Sequence, residues 1–180
     1  MQSPSDEELM ERYQHGDARA MEALFERHAS GVHAFLARMV NDRTLADDLL
    51  QTTFLSVVRS ADRFQPGLKL VPWLLTIAGN AARDTLRRKK LQVEVLHDDD
   101  DGPALEPSVE PAMSDPGQRR RIEAAFGKLP EQQRECVVLH KLEGLTFVQI
   151  AQMLEITETA ARIRAHRGYE KLRELLDEKN

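Results

Sequence analysis

The sequence predicts an all-α protein of two small helical domains joined by an acidic flexible linker. Apolar residues recur at three- and four-residue spacing through most of the chain, whereas alternating strand-like runs are nearly absent. Residues that favour helix starts and stops punctuate these stretches. A segment rich in acidic residues and proline interrupts them. The predicted boundaries are therefore a first domain at 1–91, a linker at 92–117 and a second domain at 118–180.

The first domain is predicted to hold four helices, each with apolar positions at helical spacing. Ser5 and Glu8 have the spacing of a capping box at the start of the first helix. The second follows directly, and the third begins at Thr44, a favoured N-cap residue. The fourth runs from near Pro72, which a first helical turn tolerates, to about Lys90.

The linker concentrates the negative charge of the chain. The whole sequence has a formal net charge of −5, but residues 92–117 contain eight acidic side chains and no Lys or Arg, so the remainder carries +3. Four prolines interrupt this segment, and it has no helical or alternating period. Because local charge governs nucleic-acid binding, the acidic total does not exclude a DNA-binding surface elsewhere.

The last fifty residues predict three short helices, of which the final two resemble a helix-turn-helix. Pro130 suits the start of the first, and Gly144 is suited to close it. Thr146 and Gln149 have capping-box spacing at the start of the second, and Thr157 is a favoured N-cap for the third. In a helix-turn-helix the last helix enters the DNA major groove.

The final helix is strongly basic. Ile163, Leu172 and Leu176 are predicted to face inward, which leaves the cations exposed. These cations are Arg162, Arg164, His166, Arg167, Lys171 and Arg173. From charge alone, an ordinary surface helix paired with Glu170 and Glu174 explains them equally well. The preceding helix and turn favour DNA, because fold and charge together indicate a phosphate-binding surface.

Two further faces occur in the first domain. Asp48, Gln51 and Leu55 share one side of the third helix, a mixed surface that suits a protein partner, although an ordinary solvated face remains open. The fourth helix ends in a polar and basic stripe: Asn80, Arg83, Arg87, Arg88, Lys89 and Lys90. Cations are favoured at any helix C-terminus, but five within eight residues exceed that need and favour DNA. An Asn carboxamide can pair with a base edge, and a basic groove near aromatics can hold a single strand.

Several classes of protein are disfavoured by the composition. No apolar run is long enough to cross a membrane, and the polar N-terminus does not resemble a secretory signal. The single cysteine, Cys136, excludes an internal disulfide, fits a reducing cytoplasm and is expected in the core. We find no phosphate-binding glycine loop and no metal-spaced His/Cys cluster. The sequence therefore predicts no catalytic residues, no metal and no cofactor.

Three segments together resemble the bacterial RNA polymerase sigma factors of the extracytoplasmic-function (ECF) type. Residues 46–54, ADDLLQTTF, are similar to the polymerase-binding helix of that family. Residues 73–88, WLLTIAGNAARDTLRR, resemble its promoter-melting helix, and residues 129–167 resemble its C-terminal helix-turn-helix. Each motif alone is moderately specific, but all three in this order and spacing are highly specific. The resemblance covers nearly everything except the linker. Thr52, where an acidic residue is common, and Glu155, where glycine is usual, depart from the pattern.

The resemblance implies a sigma-2-like first domain and a sigma-4-like second domain with separate tasks. Docking on core RNA polymerase would use Asp48, Gln51 and Leu55. The opened non-template strand of the −10 element would be read by the loop at 64–71 and by Asn80, Arg83, Arg87 and Arg88. Duplex promoter DNA at the −35 element would be read by Arg162, Arg164, Arg167 and Lys171. An anti-sigma factor is the further partner implied. The alternative is a helix-turn-helix regulator without sigma activity.

Overall fold

The computed structural model describes residues 3–95 and 116–177, and every regular element in these ranges is helical. The described residues form two compact units: the first takes in residues 3–40 and 44–95, and the second takes in residues 41–43 and 116–177. The all-α class predicted from the sequence is confirmed. Of the predicted linker, residues 96–115 lie outside the described residues.

The first unit contains the four predicted helices. They are α1 (Asp6–Gln14), α2 (Ala18–Val40), α3 (Arg43–Ser60) and α4 (Leu70–Val95), with a single 3₁₀ turn at Ala61–Arg63. The capping box of α1 forms as predicted, because the Ser5 hydroxyl accepts from Glu8 N and the Glu8 carboxylate accepts from Ser5 N. By contrast, α3 begins one residue before Thr44.

The ends of α4 differ from the prediction. The helix begins at Leu70, so Pro72 lies in the first turn, where the backbone N–H that proline lacks would have no partner within the helix. It continues to Val95, beyond the predicted end at Lys90 and into the predicted linker. Residues 91–95 contain neither proline nor glycine, so the loss of positive charge after Lys90 does not end the helix. A change in charge alters a surface but does not break a helix.

The core of the first unit lies between the inward faces of its helices. Its fully buried larger side chains include Met10, Leu24, Phe35, Leu36 and Met39. The one buried polar residue of this unit, among those described, is Thr53, whose hydroxyl donates to the Leu49 carbonyl at 2.7 Å. This hydrogen bond within the helix satisfies the hydroxyl, so Thr53 can pack in the core with the apolar residues on the inner side of α3.

The second unit contains one more helix than predicted. Its elements are α5 (Pro116–Gly127), α6 (Glu131–Val137) with a π-helical turn at Val138–Leu142, α7 (Phe147–Leu154) and α8 (Glu158–Asp177). The prediction missed α5 because Pro116 was assigned to the linker, whereas it occupies the first helical position, where its fixed φ is favourable. Ile122, Ala125, Phe126 and Leu129 give the apolar spacing that could have revealed this helix.

The predicted turns of the second unit are confirmed. Gly144 follows the π turn with a φ of +69°, and Thr146 forms its capping box with Gln149. Thr157 caps α8 by accepting a hydrogen bond from Ala160 N at 3.1 Å. Between α7 and α8, Glu155 adopts the left-handed conformation with a φ of +53°, which explains why glycine is usual in this turn.

The prediction of the inward face of α8 was wrong at Ile163. Ile163 is 46% exposed, and Leu172 and Leu176 are only half-buried. The fully buried positions are small instead: Ala161, Ala165 and Gly168. Because successive residues are 100° apart, Ile163 lies on the side of the helix opposite these three. Apolar character was read as burial, but here the close packing of α8 selects small side chains.

Gly168 shows how closely α6 and α8 approach each other. A Cβ atom at this position would lie 2.6 Å from Val137 Cγ2 and 3.2 Å from the Gln133 carbonyl oxygen, both on α6. The first distance is too short for a real Cβ contact, so an atom would have to shift, and the second is tighter than ordinary van der Waals contact with a backbone atom. Gly168 therefore lets α6 support the inner side of α8 and leaves the outer side available to a ligand.

Candidate polymerase and nucleic-acid interfaces

The outer side of α3 is a mixed polar and apolar surface. Asp48, Gln51 and Leu55 are all exposed, Leu55 to 57%, and Val58 extends the apolar part at 43%. Thr52 is also exposed, but its hydroxyl donates to the Asp48 carbonyl at 2.9 Å within the helix. The opposite side of α3 is buried through Leu49, Thr53 and Val57. The three residues predicted to dock on polymerase thus share one solvent-facing surface.

The basic stripe of α4 is also at the surface. Asn80 is exposed, and its side-chain oxygen accepts a hydrogen bond from half-buried Arg83. Arg87 donates to Asp84 Oδ1 at 3.0 Å, and Arg88 Nε donates to the Asp84 carbonyl at 3.3 Å. These contacts orient the guanidinium groups along the helix. They are exposed pairs of modest strength, so a phosphate can compete for the cations.

Aromatic side chains lie at the start of the same helix. The Trp73 ring makes an edge contact with Phe64, with centroids 5.3 Å apart. Trp73, Asn80 and Arg87 are spaced by seven residues and therefore lie along one side of α4. An aromatic ring, a carboxamide and a cation in line can serve a stacked base, a base edge and a phosphate, respectively.

The cations of α8 differ in their availability. Arg162 is 62% exposed, forms an ion pair with Glu158, and lies 5.0 Å from the centroid of the Phe147 ring. Lys171 Nζ lies 3.0 Å from Glu174 Oε2. Arg167 is exposed and makes no hydrogen bond or ion pair within the described ranges. The Lys171 pair agrees with the ordinary-helix alternative, whereas Arg167 does not.

Arg164 lies nearer the interior than the other predicted α8 contacts. It is half-buried, close enough to buried Cys136 for its charge to lower the pKa of the thiol. Burial, and to a smaller extent the charge of Glu135, nevertheless raise that pKa from its ordinary value to about 11. The thiol is therefore protonated at neutral pH and a poor nucleophile, in agreement with a core role for Cys136.

Ile163 is the residue of this surface that sequence reasoning missed. By helical geometry it lies near the centre of the outer side of α8, with Arg162 on one flank and Arg167 on the other. A large apolar side chain between two cations is poorly suited to phosphate binding, but it suits the methyl group of a thymine in the major groove. The spacing of apolar residues does not predict this exposure. It arises because the inner side of α8 is formed by small residues, and Ile163 lies on the opposite side.

The histidines of α2 are structural. His28 Nε2 lies 2.8 Å from Asp6, and His33 Nε2 lies 3.0 Å from Asp47, so each imidazole fastens α2 to a neighbouring helix. No group of three or more His, Cys, Asp or Glu side chains in residues 3–95 and 116–177 could hold a metal ion. None of the helices in these ranges combines the length and the apolar character that a membrane crossing requires.

Comparison with known proteins assigns both units. Residues 24–92 match the family model of sigma-70 region 2, and residues 119–172 match that of sigma-70 region 4. The RNA polymerase sigma factor CarQ of Myxococcus xanthus is 51% identical over 170 residues, which are 94% of this chain and 96% of CarQ. The chain belongs to the ECF sigma factors. It is therefore an alternative sigma factor, which directs RNA polymerase to promoters.

Other sigma factors share its length and fold. The ECF sigma factor SigM of Mycobacterium tuberculosis is 33% identical over 177 residues, covering 96% of this chain and 85% of SigM. CnrH, solved in complex with the cytosolic domain of CnrY, is 26% identical with a TM-score of 0.71, and the match covers 97% of this chain and 99% of CnrH. RpoE from Bartonella quintana, solved with the anti-sigma factor NepR, is 24% identical with a TM-score of 0.74 and covers 87% and 96%.

Proposed function

We propose that this sigma factor divides its work between the two units, with α3 and α4 acting on polymerase and the −10 element and α8 acting on the −35 element. The observation that carries the proposal is the exposure of a cationic surface on each unit, on α4 in the first and on α8 in the second. The domain boundaries at 1–91 and 118–180 remain part of the proposal, and so does an acidic linker at 92–117.

Docking on core RNA polymerase is assigned to Asp48, Gln51 and Leu55, with Val58 added from the structure. The exposed apolar side chains supply area that a partner removes from water. The carboxylate of Asp48 contributes to the specificity and orientation of binding, because burying this charge against a surface without a complementary group costs free energy. A mixed patch of this kind is typical of the interfaces of soluble partners.

Opening of the −10 element is assigned to one side of α4. In this proposal the exposed Asn80 carboxamide contacts a base edge, and the half-buried Trp73 ring stacks on a base. Extracting a base from the duplex costs a few kcal/mol, which binding of the separated strand must offset. Arg83, Arg87 and Arg88 supply that binding through the backbone phosphates.

Recognition of the −35 element is assigned to the outer side of α8. Arg162, Arg167 and Lys171 contact phosphates and fix the register of the helix in the major groove. Arg164, which is half-buried, is assigned a contact at the edge of this surface. Ile163 contacts a thymine methyl group between the flanking arginines. The phosphate contacts supply affinity, and Ile163 supplies part of the base preference.

Further partners and the location of the protein follow from this role. RNA polymerase and promoter DNA place its activity in the cytoplasm, where the reduced thiol of Cys136 is stable. The RpoE structure contains the anti-sigma factor NepR. A comparable inhibitor of this chain would block polymerase binding most directly by covering the exposed surface of α3. Polymerase and inhibitor would then compete for Leu55 and Val58.

The proposal is tested by transcription with purified core RNA polymerase on fragmented genomic DNA of the source organism. We expect defined transcript start sites that require the chain, and that disappear with Asn80→Ala. The Asn80→Ala holoenzyme should still assemble, as measured by co-elution with core polymerase. Start sites that are unchanged by Asn80→Ala would contradict the assignment of the −10 contact. The promoters found in this way provide the DNA for the experiments below.

A further inference from the structure

The loop at residues 64–69 connects the 3₁₀ turn to α4 and contains a hydrogen-bonded turn. Leu68 N donates to the Gln65 carbonyl at 3.2 Å, and Gly67 has a φ of +89° after Pro66. This combination is a type II turn, in which proline and glycine are the favoured central residues. The tip of the loop, including Leu68, is exposed, whereas Phe64 at its base is buried.

Gln14 at the end of α1 holds the first end of this loop. Its side-chain amide donates to the Ala61 carbonyl at 2.8 Å and to the Phe64 carbonyl at 2.9 Å. Both contacts are part-buried and join residues 47 and 50 positions apart in the sequence. Because the Gln14 amide donates to both carbonyls, it fixes the path of the chain where it leaves the 3₁₀ turn. An apolar side chain at position 14 could not make these hydrogen bonds.

Glu7, two turns earlier on the same side of α1, holds the other end. Its Oε1 accepts from Leu70 N at 3.3 Å, which satisfies one of the free N–H groups in the first turn of α4. The same oxygen lies 3.7 Å from Lys69 Nζ. The carboxylate is also favourably placed at the positive end of the α4 helix dipole.

The helix that carries both residues is itself fixed on α2. Asp6 forms an ion pair with Arg27 of α2 and lies 2.8 Å from His28 Nε2, and Leu9 and Met10 on the inner side of α1 are buried. The path of fixed contacts therefore runs from α2 through α1 to both ends of the loop. None of α1 lies in residues 24–92, which match sigma-70 region 2.

We propose that Glu7 and Gln14 are positioning residues that hold the 64–69 loop in the conformation needed to open the −10 element. This inference rests on the proposed role of the loop and α4 in strand opening. Neither residue touches DNA. They act by holding Phe64 against Trp73 and by fixing the position of the exposed turn relative to the basic side of α4.

The test measures strand opening by holoenzymes carrying Gln14→Met or Glu7→Met, which keep helix propensity and size but cannot make these hydrogen bonds. Permanganate reactivity of −10 thymines reports opening, and footprinting reports −35 binding. Glu11→Met is the matched control, because Glu11 is exposed on the same helix and makes no side-chain hydrogen bond or ion pair within the described ranges. Glu7→Gln is the conservative variant, because its amide oxygen can still accept from Leu70 N.

Trp73 provides a second readout that is independent of DNA. It is the only tryptophan of the chain and contacts Phe64, so acrylamide quenching of its fluorescence reports the position of the loop. We expect both methionine variants at positions 7 and 14 to open about tenfold less promoter and to expose Trp73, because a buried carbonyl or N–H loses its partner. Glu7→Gln should recover most of the opening, and −35 footprints should stay unchanged.

Two results would overturn the inference. Wild-type opening in Gln14→Met and Glu7→Met would remove the positioning role, with or without a change in Trp73 quenching. A loss of −35 footprints in parallel with opening would show a general folding defect instead. Failure of the unsubstituted holoenzyme to open any promoter would count against the proposed function itself, and Trp73 quenching would then still decide whether α1 holds the loop.

Discussion

Ile163 is the residue at which pattern and structure disagree most informatively. An apolar side chain in a basic helix predicts burial, yet the inner side of α8 has room only for Ala161, Ala165 and Gly168. The exposed isoleucine therefore has no packing explanation within the second unit. The base contact proposed above would give a reason for an isoleucine between Arg162 and Arg167.

A methyl contact by Ile163 can be tested without changing the charge of α8. Replacing the contacted −35 thymine by uracil, which lacks the 5-methyl group, should weaken holoenzyme binding about threefold to fourfold, the effect of one buried methyl group. Ile163→Ala should bind more weakly and lose this discrimination. Leu142→Ala, exposed outside α8, is the control. Equal sensitivity to uracil in the wild type and in Ile163→Ala at every −35 position would exclude the contact.

Glu155 carries backbone strain in the turn between α7 and α8. Its φ of +53° is a conformation that L-residues adopt at a cost and glycine adopts freely. We expect Glu155→Gly to stabilise the second unit by about 1 kcal/mol, measured by hydrogen exchange in α7 and α8. Gln152→Gly, in the exposed interior of α7, should destabilise the unit by about the same amount. Slower exchange in both variants, or in neither, would show that the turn is not strained.

Among the elements, the packing of α6 against α8 makes the sharpest prediction about stability. Gly168→Ala should destabilise the second unit by about 1–3 kcal/mol, because the new Cβ would meet Val137 and the Gln133 carbonyl. Gly31→Ala is the matched control in the first unit, because a Cβ at position 31 meets nothing within 4 Å. That change should stabilise α2 by about 0.5–1 kcal/mol. Thermal unfolding followed by circular dichroism measures both, and a stabilising Gly168→Ala would contradict the close approach.

The helices themselves were largely predictable because their local signals agree with the tertiary structure. The capping boxes at Ser5 and Thr146 and the N-cap at Thr157 all form where their spacing places them. The errors arose where a local signal has two meanings. Pro116 can end a linker or begin a helix, and it begins α5. Which meaning applies depends on packing partners that are distant in sequence.

The candidate sites were predictable to a different extent. The exposure of Asp48, Gln51 and Asn80 follows from helical periodicity, because each lies opposite an apolar stripe. The half-burial of Arg164 and the exposure of Ile163 do not, because they depend on how closely α6 packs against α8. The contacts of Glu7 and Gln14 with the loop join residues 47 to 63 positions apart, and no spacing rule reveals them.

At the scale of the whole molecule, the distribution of charge matters more than its total. The net charge of −5 would oppose DNA binding if it were spread evenly, but eight acidic side chains are concentrated between residues 92 and 117. We expect Arg167→Ala to reduce the slope of log affinity against log salt for −35 DNA by about one phosphate contact. Arg19→Ala, an exposed arginine on α2, should leave the slope unchanged. An unchanged slope in Arg167→Ala would remove Arg167 from the DNA surface.

The most direct measurement of the proposed division of labour compares Asn80→Ala and Arg167→Ala holoenzymes on one promoter by footprinting and permanganate reactivity. Asn80→Ala should retain −35 protection while the −10 thymines lose reactivity, and Arg167→Ala should weaken −35 protection. On a short DNA that carries only the pre-opened −10 element, Arg167→Ala should bind like the wild type and Asn80→Ala should not. If both variants lose both activities together on both DNAs, the two units do not read separate states of promoter DNA.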